Sequence, residues 1–213
     1  MKKIFVVGNA LNYASFIEDS ILTSDMKEAD IVLFTGGEDV DPTLYKAGCH
    51  STTIFNRERD KAEMSVFKKI KPTQLALGIC RGSQFLCVMN GGKLVQDCDN
   101  HAIWGTHGIT NGEIEYEITS THHQMQYPYN LEDKDYDLLY ISSSHRSFTY
   151  YDGSGINPNI IREKGEPEIV LYHKEGMPKC LAIQGHPEIM RHEAPVIEML
   201  NNLINETLNS IEK

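Results

Sequence analysis

The chain has 213 residues, 40% hydrophobic and 23% charged, and a formal net charge of −10. That length supports one sizeable domain spanning 1–213, and the acidic balance leaves no electrostatic footprint for a phosphate backbone, which argues against nucleic acid as a ligand. No apolar run approaches the roughly 18 residues of a membrane span, and five cysteines (Cys49, Cys80, Cys87, Cys98, Cys180) without paired metal spacing fit free thiols in a reducing cytoplasm.

In chain order, Ile4-Phe5-Val6-Val7 before Gly8 reads as a buried strand, too short an apolar run for a signal peptide. Helical spacing of Phe16, Ile17, Ser20 and Ile21 predicts a first helix over 13–22. Residues 24–29 read as a short connection, and 30–35 as the next strand, entering Gly36-Gly37. These Val/Ile/Leu runs do not alternate, which predicts strands covered on both faces in a parallel sheet. A helix follows over 56–69 with Ala62, Val66, Phe67 and Ile70 as its apolar stripe, stopped at Pro72. The strand of Leu75-Ala76-Leu77 leads into Gly78-Ile79-Cys80-Arg81-Gly82 and a helix ending near Asn90, capped by Gly91-Gly92. The next part has a different texture. Alternation around Asn111-Gly112 predicts an antiparallel hairpin over 108–120. Strands follow at 137–142, 169–172 and 180–184, and a closing helix runs from Pro195 to about Asn209. The polar, Gly-rich stretch 143–167 is too long for a simple connection and reads as an ordered functional loop. The sum is an α/β fold with helices on both faces of a mostly parallel sheet and an antiparallel extension.

The chemistry centres on Cys80. A residue on a sharp strand-to-helix turn stands proud of the sheet, glycines two positions away on each side let the backbone take the bend, and the helix N-terminus favours negative charge there. A cysteine nucleophile needs a base and the base an orienting group. Of nine histidines, His186 in Gln184-Gly185-His186-Pro187-Glu188 is the best placed. Pro187 keeps its predecessor extended, so His186 and Glu188 project together. The backbone N–H of Arg81 is one oxyanion donor expected of such an elbow, and Gly36-Gly37 at another strand end is the natural source of the second. Spacings among His101, His107, His122 and His123 match no common zinc pattern, so these read as structural or substrate-wall residues rather than as a metal site.

Six motifs then stand in register: Phe34-Thr35-Gly36-Gly37-Glu38-Asp39-Val40-Asp41-Pro42, Asn56-Arg57-Glu58-Arg59-Asp60, Gly78-Ile79-Cys80-Arg81-Gly82-Ser83-Gln84, Asn90-Gly91-Gly92-Lys93-Leu94-Val95-Gln96-Asp97, Ser120-Thr121-His122-His123-Gln124 and Gln184-Gly185-His186-Pro187-Glu188. In that order they resemble the class I glutamine amidotransferase-like family, most closely its gamma-glutamyl hydrolase branch. The resemblance implies a flavodoxin-like fold, a Cys80-His186-Glu188 triad and acyl transfer at the gamma-carbonyl of a glutamyl group through a thioester. It assigns Gly37 and Arg81 to the oxyanion hole, Gln84 to the alpha-amino and carboxylate end of the substrate, and His123 to the pocket wall. It implies a small gamma-glutamyl substrate and no metal or organic cofactor. The chain departs from the family pattern at Gly185, where an aromatic residue is usual and a glycine would widen the space beside His186. It departs also in a short segment before Thr35 that reduces one early strand, and in the length of 143–167. Arg146, Tyr150, Tyr151 and Arg162 of that loop are candidates to face an anionic leaving group or to form a solvated flap. Two activities fit: a free-standing gamma-glutamyl amine hydrolase, and a glutaminase subunit that hands ammonia to a separate synthetase. A homodimer stays open.

Overall fold

A computed structural model describes residues 1–144, 146–151 and 155–211. Parallel strands β1 (Lys2–Val7), β2 (Ser20–Leu22), β3 (Ile31–Phe34) and β4 (Leu75–Ile79) lead into helix α2 (Arg81–Met89), with α1 (Arg57–Phe67) packed before β4. The second half supplies β5 (Lys93–Val95), β6 (Ala102–Thr110), β7 (Glu115–Thr121), β8 (Met125–Tyr127), β9 (Tyr136–Ser142), α3 (Pro158–Lys164), β10 (Pro167–Tyr172), β11 (Cys180–Ile183) and α4 (Pro195–Asn209). Nine strands form one sheet in the order β2-β1-β3-β4-β11-β10-β9-β6-β7. From β2 to β11 the neighbours run parallel, and from β11 to β7 they run antiparallel. β5 and β8 pair separately.

Alternation within the central strands explains why they read as continuous apolar runs. Ile31 and Leu33 face a core built with Val196, Ile197, Leu200 and Ile204 of α4. Val32 and Phe34 face the opposite core with Phe67 of α1 and Phe85 and Leu86 of α2. Each residue of the strand is therefore buried whichever way it points, as in a sheet covered on both faces.

Three local expectations change. Residues 13–22 do not form a helix: Leu11–Ala14 is one 3-10 turn and Ser20–Leu22 is a short edge strand paired with β1. The apolar residues at 16 and 17 are held by the core instead. In α1, Ala62 faces solvent while Asp60 and Glu63 are buried beside Phe67, so the inward stripe is partly ionic. The loop 143–167 contains α3, its first turn capped by Asn157; residues 145 and 152–154 of it lie outside the described residues. No helix among the described residues is long and apolar enough to cross a membrane.

Candidate active site

The carboxyl ends of β3, β4 and β11 converge, where ligands bind in open α/β sheets. Cys80 follows β4 directly, with φ 52° and ψ −111°, an unusual conformation for a residue with a side chain. Its N–H donates to the Ile183 carbonyl at 2.8 Å, which ties the bend to β11. Its carbonyl accepts from Ser83 Oγ at 2.7 Å and from the N–H groups of Ser83 and Gln84. The flanking glycines serve close approach rather than an unusual φ. A Cβ at Gly78 would lie 2.5 Å from the Gly82 carbonyl oxygen, and one at Gly82 would lie 2.2 Å from that of Phe34. The strain of the bend sits on Cys80 itself, and the glycines let α2 press onto the sheet. The N–H of Arg81, in the first helical turn, has no acceptor within the helix.

After β11, His186 enters a 3-10 turn, Pro187–Ile189, rather than an extended segment. The two side chains still meet: His186 Nδ1 lies 2.7 Å from Glu188 Oε1. The His186 N–H donates to Thr119 Oγ1 at 2.6 Å, fixing the ring's base to the end of β7. Burial works against a charge on His186, but hydrogen bonds to Cys80 and Glu188 and their negative charges outweigh it, raising the imidazole from 6.5 to about 10. The ring is thus held as an imidazolium beside the sulfur. By contrast, burial pushes the Cys87 and Cys180 thiols up to about 12, which leaves them inert.

Beside Cys80 opens a cleft of about 310 Å³ whose walls include Gly37, Asp39, Arg81, Gln84 and His123. Gly37 has φ 136°, and a Cβ there would collide with the Arg59 guanidinium. That guanidinium donates to the carbonyls of Thr35 and Gly36 at 3.0 and 2.9 Å, freezing the loop that carries Gly37. The Arg81 side chain turns away from the cleft. It is 1% exposed, pairs with Asp60 and Glu63, and donates to the Glu38 carbonyl. Only the backbone of Arg81 therefore faces the thiol. Gln84 Nε2 donates to the Gln124 carbonyl at 3.0 Å, while its buried Oε1 has no partner among the described residues and is free to accept from a ligand. His123 stands between Asp39 and Asp97, each 3.4 Å away, and these acids, Asp39 first, raise its pKa.

All seven residues singled out from the sequence thus gather at one end of the sheet, five around the cleft and His186 with Glu188 flanking Cys80. Sequence reasoning missed Tyr13, Thr119, Arg59 and the buried Asp60–Arg81–Glu63 set. Tyr13 packs 6.0 Å from the His186 ring, and burial followed by the charges of Glu188 and Cys80 raises its phenol to about 12, keeping it a neutral donor. Its signal in the sequence is hidden, because the spacing around it mimics a helix. The one available signal for the ionic set is the charged Asn56-Arg57-Glu58-Arg59-Asp60 motif, which holds only one of its three members. Gly185 opens no space beside His186: a Cβ there would lie 2.6 Å from Ile118 Cγ1, so that side chain already fills the position. Nor do Arg146, Tyr150, Tyr151 or Arg162 line the cleft. Tyr150 donates to Glu166, Arg162 lies over the Tyr150 ring, and Tyr151 stacks with His50.

The family model described as Peptidase C26 matches residues 7–188. Among curated proteins, the chain is similar to Protein NtpR of Enterococcus hirae, 32% identical over 79 residues, which is 36% of this chain and 33% of that protein. It is similar also to a candidate glutamine amidotransferase-like protein, YvdE, of Lactococcus lactis, 24% identical over 75% of this chain and 66% of that protein. The chain thus matches less than two thirds of the length of either relative. Among solved structures, a candidate GMP synthase subunit from Thermoplasma acidophilum superposes with a TM-score of 0.61 at 18% identity, over 99% of this chain and 95% of that one. A glutamine amidotransferase from Thermotoga maritima gives 0.56 at 14% identity, over 99% and 86%. At those identities the likeness establishes the fold: a class I glutamine amidotransferase fold.

Proposed function

The chain belongs to the Peptidase C26 family, and on that premise we propose that it is a cysteine hydrolase cleaving the gamma-glutamyl amide bond of a gamma-glutamyl amine, releasing glutamate and the free amine. The observation that carries this reading is the Cys80 elbow with a Glu188-oriented imidazolium at its sulfur and glycine and helix N–H groups across the cleft.

In this mechanism the Cys80 thiolate attacks the gamma-carbonyl carbon, and the C=O electron pair moves to oxygen. The oxyanion is met by the N–H groups of Gly37 and Arg81. As the tetrahedral species collapses, the C–N bond breaks and His186 gives its proton to the departing amine, leaving a glutamyl thioester. Water then attacks the thioester carbonyl while His186 takes its proton. The second collapse frees glutamate and restores the Cys80 thiolate. Glu188 holds the ring and offsets its charge throughout. Gln84 Oε1 accepts from the substrate's ammonium, and His123, flanked by Asp39 and Asp97, forms the wall of the glutamyl pocket.

A second reading has its own observation. Trp104, Ile103 and Ile189 are exposed by 89%, 41% and 62%, Trp104 and Ile189 lining a neighbouring pocket that shares Thr121 with the cleft, and the similarity to a GMP synthase component fits a glutaminase that docks on a separate synthetase. The test is glutamate release by the purified chain from glutamine and from a panel of gamma-glutamyl amines, with Cys80→Ala as control. Rapid release from one amine conjugate, abolished in the control, is expected. Release from glutamine alone, appearing only when a synthetase is added, would select the second reading.

A further inference from the structure

At the cleft wall, of which His122 is itself part, three histidines and two glutamates are almost entirely buried. His101 precedes β6, His107 lies within it, His122 follows β7, and Glu166 and Glu168 flank and enter β10. Their exposures are 0%, 2%, 4%, 1% and 0%. Three ring nitrogens face one carboxylate oxygen: Glu168 Oε1 is 2.8 Å from His107 Nε2, 3.7 Å from His101 Nδ1 and 3.9 Å from His122 Nε2. Ligand atoms of His101, His107 and Glu168 all lie within 4.8 Å of one another. In a tetrahedral zinc site, with bonds of about 2.0–2.1 Å, neighbouring ligand atoms stand about 3.3 Å apart. The three separations from Glu168 Oε1 bracket that value, while His122 stands outside the mutually close set and has to move inward to join it.

The far nitrogens decide what the near ones can do. His101 Nε2 lies 3.2 Å from Glu166 Oε2, and that carboxylate is fixed by the Arg146 and Ser147 N–H groups and the Tyr150 hydroxyl. His122 Nδ1 lies 2.9 Å from the Gln124 carbonyl. Both far nitrogens therefore carry the hydrogen, which leaves lone pairs on His101 Nδ1 and His122 Nε2. Those two atoms and Glu168 Oε2 have no hydrogen-bond partner among the described residues. Two imidazole lone pairs aimed at a buried carboxylate place acceptor against acceptor, an arrangement relieved by a positive charge between them, a proton or a metal ion. A histidine whose second nitrogen donates to a carboxylate or a backbone carbonyl is the usual form of a metal ligand.

We propose that His101, His107, His122 and Glu168 form a buried zinc site. To join it, His107 gives up its hydrogen bond to Glu168 and carries its proton on Nδ1, which has no partner among the described residues. Three histidines and a carboxylate close the coordination sphere, as in structural rather than catalytic sites. The ion pins β6, β7 and β10 to each other directly beneath His123 and Gln124. Spacing along the chain could not show this, because the ligands lie on or next to three different strands. The inference does not rest on the hydrolase reading.

The test uses the full-length chain carrying Cys80→Ser, so that the cleft thiol cannot bind metal. After chelation, zinc is titrated in a metal buffer and followed by elemental analysis and thermal melting. One retained equivalent with a raised Tm is expected. Glu166→Gln should weaken zinc by ten- to a hundredfold at unchanged stoichiometry, Glu168→Gln should remove binding, and His123→Ala should leave it intact. Should Glu168→Gln fail to fold, cobalt(II) decides in the parent protein: the visible bands of a tetrahedral ion without a thiolate charge-transfer band are expected. No retained metal, metal lost in His123→Ala but kept in Glu168→Gln, or a thiolate band would overturn the proposal.

Discussion

Within the proposed triad, charge is the feature that experiment can read residue by residue. Burial opposes a charge on His186, yet Cys80 and Glu188 together raise it to about 10, so the imidazolium persists through neutral pH and loses its proton only as pH rises through that value. Histidine NMR should find this titration near 10 in the free protein. In Cys80→Ala the larger of the two supports is gone and the titration should move down; an unmoved His186 would contradict the pairing. Glu188→Gln keeps the shape but removes the partner's charge, and kcat should fall by about a thousandfold or more. Beneath the elbow, Arg81 holds two buried carboxylates, Asp60 and Glu63. Arg81→Met strands Asp60, while Glu63 keeps its ion pair with Arg59, and chemical denaturation should show a loss of about 3–5 kcal/mol. Adding Asp60→Asn should recover part of it. Recovery by the neutralising substitution would separate stranded charge from simple loss of packing.

Elements position these residues through very small tolerances. The meeting of β4, α2 and β3 leaves no room for a methyl at Gly82, where a Cβ would stand 2.2 Å from the Phe34 carbonyl oxygen. Gly82→Ala should therefore give little soluble protein, or a Tm well below the parent's, whereas Gly112→Ala, in the open hairpin turn where nothing lies within 4 Å, should fold with only the modest strain of its φ of 93°. Much of this level was legible in the sequence. The strand–elbow–helix unit around Cys80, the hairpin about Asn111-Gly112 and the helix from Pro195 to Asn209 each carry strong local signals and formed as expected. What failed was decided by distant partners. Residues 20–22 are extended because β1 pairs with them, and β5 and β8 are three-residue strands that exist through each other, about thirty positions apart. Asp60 and Glu63 point inward because Arg81 awaits them, which no periodicity in α1 could reveal. The elbow cysteine was readable because the close packing of helix on strand demands glycines two positions to either side of it, while the His101–His107–His122–Glu168 cluster was not, because only the sheet brings those chain positions together.

Across the whole molecule, two halves of one sheet divide the labour. The parallel half presents Gly37, Cys80 and His186 at its strand ends, and the antiparallel half anchors His186 through Thr119 and supplies the wall through Thr121 and His123. The amino-terminal segment that carries Tyr13 is stapled to the last helix by Asn201, whose side chain accepts from the Glu18 N–H and donates to the Phe16 carbonyl. Asn201→Leu leaves those two backbone groups unsatisfied at about 1–3 kcal/mol each. Urea melts should register that loss, while turnover well below the melting range stays close to the parent's. A proportional fall in both would mean that the segment has no independent contact with the site. In the proposed mechanism the glutamyl group passes through Cys80. That step is tested most directly by quenching turnover of a gamma-glutamyl amide in acid and mapping the adduct by mass spectrometry. A glutamyl thioester on the peptide bearing Cys80, absent from Cys80→Ala, is the predicted result. Glutamate release that proceeds undiminished in Cys80→Ala, with no adduct on the wild-type chain, would contradict it.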